Sequence, residues 1–120
     1  MSMRATAVTR RGVFAGVLAG GLSVAISGPL AAQEPLTVVA TTGMIADAAR
    51  EVGGALVEVQ ALMGPGVDPH SYRQTRSDIV AMGRAELVLW HGLYLEAQLE
   101  DFLLELGGQQ PVVAVAEGLT

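Results

Sequence analysis

Along this chain, short apolar runs alternate with segments in which apolar residues recur every three or four positions. Four runs have the length of a strand and lie at residues 36–40, 57–62, 87–90 and 112–115. Each is separated from the next by a segment with helical spacing. The pattern predicts the order βαβαβαβ, which is typical of an α/β fold with a parallel sheet flanked by helices on both faces.

Recognisable capping residues begin and end the first predicted helix and begin the second. Thr42 is placed to cap the first helix, and Gly53-Gly54 is expected to end it. Thr75 and Asp78 have the spacing of a capping box that opens the second helix. The apolar residues of the first helix predict one buried stripe, which is Met44, Ile45, Ala48, Ala49 and Val52.

The third predicted helix begins near Leu93 and stops at Gly107-Gly108. Its predicted buried stripe is Leu95, Leu99, Phe102, Leu103 and Leu106. Four acidic residues fall on the other side, where we expect solvent, and these are Glu96, Glu100, Asp101 and Glu105. Trp90 and Tyr94 are expected to lie in the core or at an interface between lobes.

A stretch rich in proline and glycine, residues 63–72, follows the second predicted strand. Two prolines and two glycines within it restrict the backbone to one loop shape, and the loop carries His70. Parallel sheets bind ligands at the carboxyl ends of their strands, and the loop, Thr41-Thr42 and His91-Gly92 all fall at that edge. A rigid loop can hold an imidazole in place for a metal ion. The residues alone equally allow His70 to bond a backbone group or to face solvent.

Three segments of the chain resemble the cluster A-I solute-binding proteins, the receptors that supply zinc, manganese or iron to ABC importers. The segments are Gly64-Pro-Gly-Val-Asp-Pro-His70-Ser-Tyr72, Val38-Val-Ala-Thr-Thr-Gly-Met-Ile-Ala-Asp47 and Ala85-Glu-Leu-Val-Leu-Trp-His-Gly-Leu-Tyr-Leu-Glu96. The resemblance runs from about Leu36 to the end of the sequence. It implies that residues 33–120 form the N-terminal lobe, incomplete, of a two-lobed periplasmic protein.

The same resemblance implies that His70 is a ligand of a transported divalent transition metal, Mn²⁺ or Zn²⁺, with Fe²⁺ as a further candidate. It also implies further ligands beyond Thr120, which would be a second His, a carboxylate or third His, and an Asp. The implied partner is an ABC permease in the inner membrane, and the implied mechanism is binding without bond chemistry. A neutral imidazole suits all three metals, so His70 does not select among them.

Other polar residues near this edge are weaker candidates. His91 could be a second ligand, but we expect it to bond a loop or cap the following helix. Asp68 could bind a hard cation, whereas an aspartate in a turn commonly bonds the backbone, which is the role expected here. Asp47 and Glu51 are expected to lie on a solvated helix face. Glu96 matches an acidic residue of the family and is assigned no metal role.

Charge and cysteine content narrow the function classes. All 12 acidic residues lie at or beyond Glu34, together with only four of the seven arginines, so a nucleic-acid partner is not expected. The sequence has no cysteine. A disulfide, a thiolate metal site and a bacterial lipid anchor are therefore not expected.

Residues 1–32 have the layout of a secretory signal peptide, with a basic head ending at Arg10-Arg11, an apolar body and a tail of small residues. The apolar body is shorter than the ~20 residues that a membrane-spanning helix needs. We expect cleavage near Ala32 and a monomer that is free in the periplasm. The paired arginines leave the Sec and twin-arginine routes both open.

The sequence also allows two alternative functions. An α/β enzyme could use the same sheet edge, although no catalytic triad or phosphate-binding glycine loop is found. The chain could also be a truncated product that is exported without binding metal tightly, because the part after the predicted signal is small for an independent core.

Overall fold

The structure is a computed structural model that describes residues 16, 20, 21 and 33–119. Apart from three glycines, the predicted signal peptide and its cleavage site near Ala32 lie outside the described residues. Within the described part, no helix has the length and apolar character needed to cross a membrane.

Four parallel strands form one sheet in the order β2-β1-β3-β4. The strands are Leu36–Ala40 (β1), Val57–Ala61 (β2), Leu87–Trp90 (β3) and Val112–Ala114 (β4). The helices are Gly43–Gly53 (α1), Arg76–Arg84 (α2) and Glu100–Gly107 (α3), with a short 3-10 turn at Gly54–Leu56. The predicted α/β order is confirmed, and β2 and β4 each end one residue earlier than expected.

The two faces of the sheet carry separate cores. Val39 packs in one cluster with Met82 of α2 and Leu103 of α3, both fully buried. Its neighbour Ala40 points to the other face and packs with Ile45 of α1. Burying a side chain the size of Met or Leu contributes about 1.5–3 kcal/mol, so the α2–α3 face is the stronger of the two cores.

The capping residues of α1 and α2 are confirmed, but the predicted buried stripe of α1 is only partly right. Ile45 is buried, whereas Met44 and Val52 are 68% and 91% exposed. The exposed residues line an apolar cavity of about 460 Å³ beside Leu89 of β3. Among the described residues α1 packs mainly on β2 and β1. The remaining apolar residues of α1 face the cavity and are not covered by other described residues.

The third helix starts at Glu100, seven residues later than predicted. Leu93 and Tyr94 have φ angles of 54° and 63°, which are left-handed and incompatible with a continuous α-helix. The predicted apolar stripe is otherwise correct, since its members Leu99 and Leu103 are fully buried. The expectation for Glu96 is wrong, because this residue is 0% exposed.

Candidate metal site

The loop that carries His70 leaves the sheet in a fixed direction. After β2 ends, the N–H groups of Leu62 and Met63 still donate to the carbonyls of Ala40 and Thr41, at 2.9 and 3.0 Å. The Met63 side chain is 3% exposed and lies in the α2–α3 core. Further along, Gly66 has a φ of 78°, a conformation that favours glycine. The loop is therefore anchored in the sheet before its turn begins.

Asp68 shapes the part of the loop next to the histidine. Its Oδ1 accepts a hydrogen bond of 3.0 Å from the backbone N–H of His70. The Ser71 hydroxyl donates to the Asp68 carbonyl at 3.4 Å. The predicted backbone role of Asp68 is confirmed, and this oxygen is engaged in holding the loop.

The His70 side chain is exposed, and its Nδ1 lies 3.3 Å from the backbone carbonyl oxygen of Tyr94. A carbonyl oxygen only accepts hydrogen bonds, so this contact is a hydrogen bond when the proton is on Nδ1. The lone pair is then on Nε2, which makes no hydrogen bond within the described part of the chain. In that state Nε2 has the lone pair that a metal ion would need.

The turn that supplies this carbonyl is strained. Gly92, Leu93 and Tyr94 have consecutive φ angles of 84°, 54° and 63°. A non-glycine residue in this region costs about 1–3 kcal/mol and persists only where its surroundings fix it. The Leu93 N–H donates to Oε1 of Glu117 at 3.2 Å, which is one such constraint.

The stronger constraint is Glu96, whose importance the sequence did not reveal. Its Oε1 accepts from the Thr41 hydroxyl at 2.6 Å and from the His91 N–H at 2.7 Å. Its Oε2 accepts from the Gly92 N–H at 3.2 Å. One buried carboxylate thus joins the end of β1 to the end of β3. The helical pattern around it concealed this role, and the glycine at 92 was the only local sign that the helix starts late.

His91 lies in different surroundings from His70. Its side chain lines the apolar cavity beside Met44 and Leu89, on the α1 side of the sheet. The expectation that it caps a helix is wrong, because no helix begins there. Its backbone N–H donates to Glu96, in the segment between β3 and α3. Across residues 33–119, no three His, Asp or Glu side chains come together as a metal-binding group.

The remaining candidate side chains lie either on the surface or in the core. Asp47 makes an exposed ion pair of 2.9 Å with Arg50, and Glu51 is also exposed, as expected for a solvated face. Trp90 is in the core at 3% exposure, whereas Tyr94 is 73% exposed and is not a core residue.

Just after the loop, Tyr72 bonds the start of α2. Its hydroxyl donates to Oδ2 of Asp78 at 2.6 Å, and the same oxygen accepts from the Thr75 N–H at 2.8 Å. The bond to this carboxylate, together with partial burial, raises the pKa of Tyr72 to about 12. The hydrogen bond thereby ties the end of the loop to the first turn of a helix.

The sequence of residues 38–120 matches the family described as ZnuA, zinc-uptake complex component A periplasmic. The manganese-binding lipoprotein MntA of Bacillus subtilis (strain 168) is 48% identical over 88 residues, which are 73% of this chain and 29% of that protein. The zinc-binding protein TroA of Treponema pallidum (strain Nichols) is 42% identical over 102 residues, which are 85% of this chain and 33% of that protein. The chain spans about a third of the length of these relatives.

Solved structures show the same likeness. The periplasmic zinc-binding protein TroA from Treponema pallidum matches with a TM-score of 0.69 at 42% identity, covering 72% of this chain and 31% of that chain. A Mn-bound periplasmic metal-binding protein from candidatus liberibacter asiaticus matches with a TM-score of 0.62 at 28% identity, covering 71% of this chain and 32% of that chain. Because the family match extends over more than half of the sequence, the chain belongs to the ZnuA family.

Proposed function

We propose that this protein is a receptor that captures Mn²⁺ or Zn²⁺ outside the cytoplasm for an ABC importer, with His70 as one metal ligand. The observation that carries the proposal is the contact between His70 Nδ1 and the Tyr94 carbonyl oxygen, at 3.3 Å. This contact leaves Nε2 free at the carboxyl-terminal edge of a parallel sheet, where such folds bind ligands. The relatives MntA and TroA are described as manganese-binding and zinc-binding proteins, which supports the same function.

The donor chemistry is compatible with several metals. Imidazole nitrogen binds Zn²⁺, Mn²⁺ and Fe²⁺, and a third relative, YfeA of Yersinia pestis, is described as an iron-binding protein. One imidazole holds a divalent cation only weakly. In this proposal His70 therefore acts together with ligands from outside residues 33–119, and those ligands set the choice of metal.

The proposal extends to location and partners. Residues 1–32 are proposed to direct export, with cleavage near Ala32 and release of a monomer into the periplasm. MntA is described as a lipoprotein, but this sequence has no cysteine to carry a lipid, so we propose that the protein is not anchored in that way. The proposed partner is an ABC permease in the inner membrane, and the acidic composition argues against nucleic acid.

His70→Ala tests the site in the protein expressed from its complete reading frame. We expect the affinity for Zn²⁺ and Mn²⁺, measured by titration calorimetry, to fall by at least about tenfold, since even groups around a ligand contribute that much. His91→Ala is the matched control and should bind as the parent does. Unchanged affinity in His70→Ala would remove the assignment, and equal losses in both variants would make His91 a second ligand.

The same titration addresses the two alternatives. Each of the relatives named above is described as a binding protein, which supports the receptor over the enzyme. The 120-residue chain is titrated beside the protein from the complete reading frame, and we expect only the longer form to bind tightly. Weak binding by both forms would favour a product that does not capture metal.

A further inference from the structure

Glu96 is the most deeply buried carboxylate in the described part of the chain, and the proposed function gives it no role. Its side chain is 0% exposed, as is that of its partner Thr41. Its Oε1 accepts one hydrogen bond from the end of β1 and one from the backbone after β3, and its Oε2 accepts a second from that backbone. A buried polar group with this many partners fixes whatever segments those partners belong to.

The segment that Glu96 fixes is the turn facing His70. The N–H groups of His91 and Gly92 point to the Glu96 carboxylate, at 2.7 and 3.2 Å, and Gly92 is itself the first of the three left-handed residues. The path of the turn is restricted further at Gly92, where an added Cβ would lie 2.9 Å from the Glu117 side chain and 3.0 Å from Ala114 Cβ. Without the carboxylate, two backbone donors of a strained turn would lose their acceptor.

This turn determines which ring nitrogen of His70 carries the proton. Its Tyr94 carbonyl oxygen is the group 3.3 Å from His70 Nδ1. The position of that oxygen decides whether Nδ1 keeps the proton and Nε2 keeps the lone pair. A shift of the turn would remove the acceptor and allow the ring to rotate or to change tautomer.

We propose that Glu96 is a positioning residue for His70, acting through the turn at residues 92–94 to hold Nδ1 protonated and Nε2 available for metal. The proposal rests on the proposed function for its consequence in metal binding. Its structural part, the control of the histidine tautomer, is independent of any metal.

The test uses Glu96→Gln in the protein from the complete reading frame, with Glu105→Gln, an exposed acid on α3, as the matched control. Long-range ¹H–¹⁵N NMR of the metal-free protein reports which ring nitrogen of His70 carries the proton. We expect the parent and the control to show Nδ1–H, and Glu96→Gln to show a mixture with Nε2–H. Calorimetry should show metal affinity lower by roughly 10–100-fold in Glu96→Gln and unchanged in the control.

Thr41→Val removes one of the three hydrogen-bond donors to Glu96 and changes the shape of the side chain little. It is the variant to use if Glu96→Gln does not fold. It should give a smaller shift of the same kind, and Thr41→Ser should restore the parent tautomer. A parent-like tautomer and affinity in both Glu96→Gln and Thr41→Val would overturn the positioning role while leaving the proposed function intact. If His70→Ala bound metal normally, the assignment of His70 as a metal ligand would fail, and the NMR result would still decide whether Glu96 controls the ring.

Discussion

At the scale of single residues, the hydroxyl of Tyr72 joins the His70 loop to α2 only while it keeps its proton. The pKa of Tyr72 is raised from 10.0 to about 12 by its bond to Asp78. A raised pKa in the folded state means that the contribution to stability is complete below pH 10 and is lost as the pH rises toward 12, because the unfolded chain releases its proton first.

We therefore expect Tyr72→Phe to lower the free energy of unfolding at pH 7 by about 1.5–3 kcal/mol, the range for a hydrogen bond to a charged group. Urea unfolding at several pH values should show the difference from the parent shrinking as the pH passes 10. A difference that stays constant through this range would mean that the bond does not determine the titration of Tyr72.

Local contacts were predictable at this scale, and distant ones were not. Asp68 bonds the N–H two residues later, so the chemistry of the turn was enough to predict it. The carbonyl that faces His70 comes from position 94, and the hydroxyl that binds Glu96 comes from position 41. No local pattern relates residues 24 and 55 positions apart, and only the folded sheet brings them together.

At the scale of elements, α2 begins with a complete capping box. The Thr75 hydroxyl accepts from the Asp78 N–H at 3.2 Å, and the Asp78 carboxylate accepts from the Thr75 N–H at 2.8 Å. Thr75→Ala should lower the free energy of unfolding by about 1 kcal/mol, because one N–H of the first turn loses its acceptor.

Urea unfolding measures this loss, and Thr75→Ser should recover most of it because the hydroxyl is kept. If alanine and serine were equally destabilising, the methyl group of Thr75 would be the important feature and the cap would not.

The start of α3 shows how an element can be predicted with the wrong boundary. The spacing of Leu95 and Leu99 matches that of the helix, so periodicity extended the helix back toward position 93. The backbone instead forms a left-handed turn there, and Glu96 bonds that turn. Hydrogen bonds between a side chain and nearby backbone groups compete with helix formation. The spacing of apolar residues gives no information about such bonds, so it could not predict the late start of α3.

At the scale of the whole molecule, different side chains join β1 to β3 at the two ends of the sheet. The carboxyl ends of β1 and β3 meet at Glu96, whereas their amino ends are joined by Thr37 and Glu86. Glu86 Oε2 accepts from the Thr37 N–H at 2.8 Å and from its hydroxyl at 3.1 Å. These bonds from Thr37 hold the pKa of Glu86 below that of a free glutamate side chain.

We expect Glu86→Gln to lower the urea midpoint at neutral pH without changing metal affinity, because Thr37 and Glu86 lie at the end of the sheet away from His70. A lowered pKa contributes stability above its ordinary value and loses it as the pH falls through the folded-state pKa, so the variant and the parent should converge in acid. Glu58→Gln, on the exposed side of β2, is the control. A change in metal affinity would show that the two ends are coupled.

The alternation of strands and helices along the chain and the parallel direction of the strands were predictable, because apolar runs of strand length separated by helical segments have few other solutions. The exposure of apolar side chains on α1 was not predictable. Met44 and Val52 follow the spacing of a buried stripe, and their burial depends on what covers the cavity beside Leu89.

The acceptor for His70 Nδ1 is a peptide oxygen, an atom that every amino acid supplies. The residue at 94 can therefore be exchanged in the course of evolution without removing that acceptor, and its exposed side chain gives little reason to keep it. The position of that acceptor depends instead on the backbone conformation of the turn. We therefore expect Gly92 and Glu96 to vary less among related sequences than the residue at position 94.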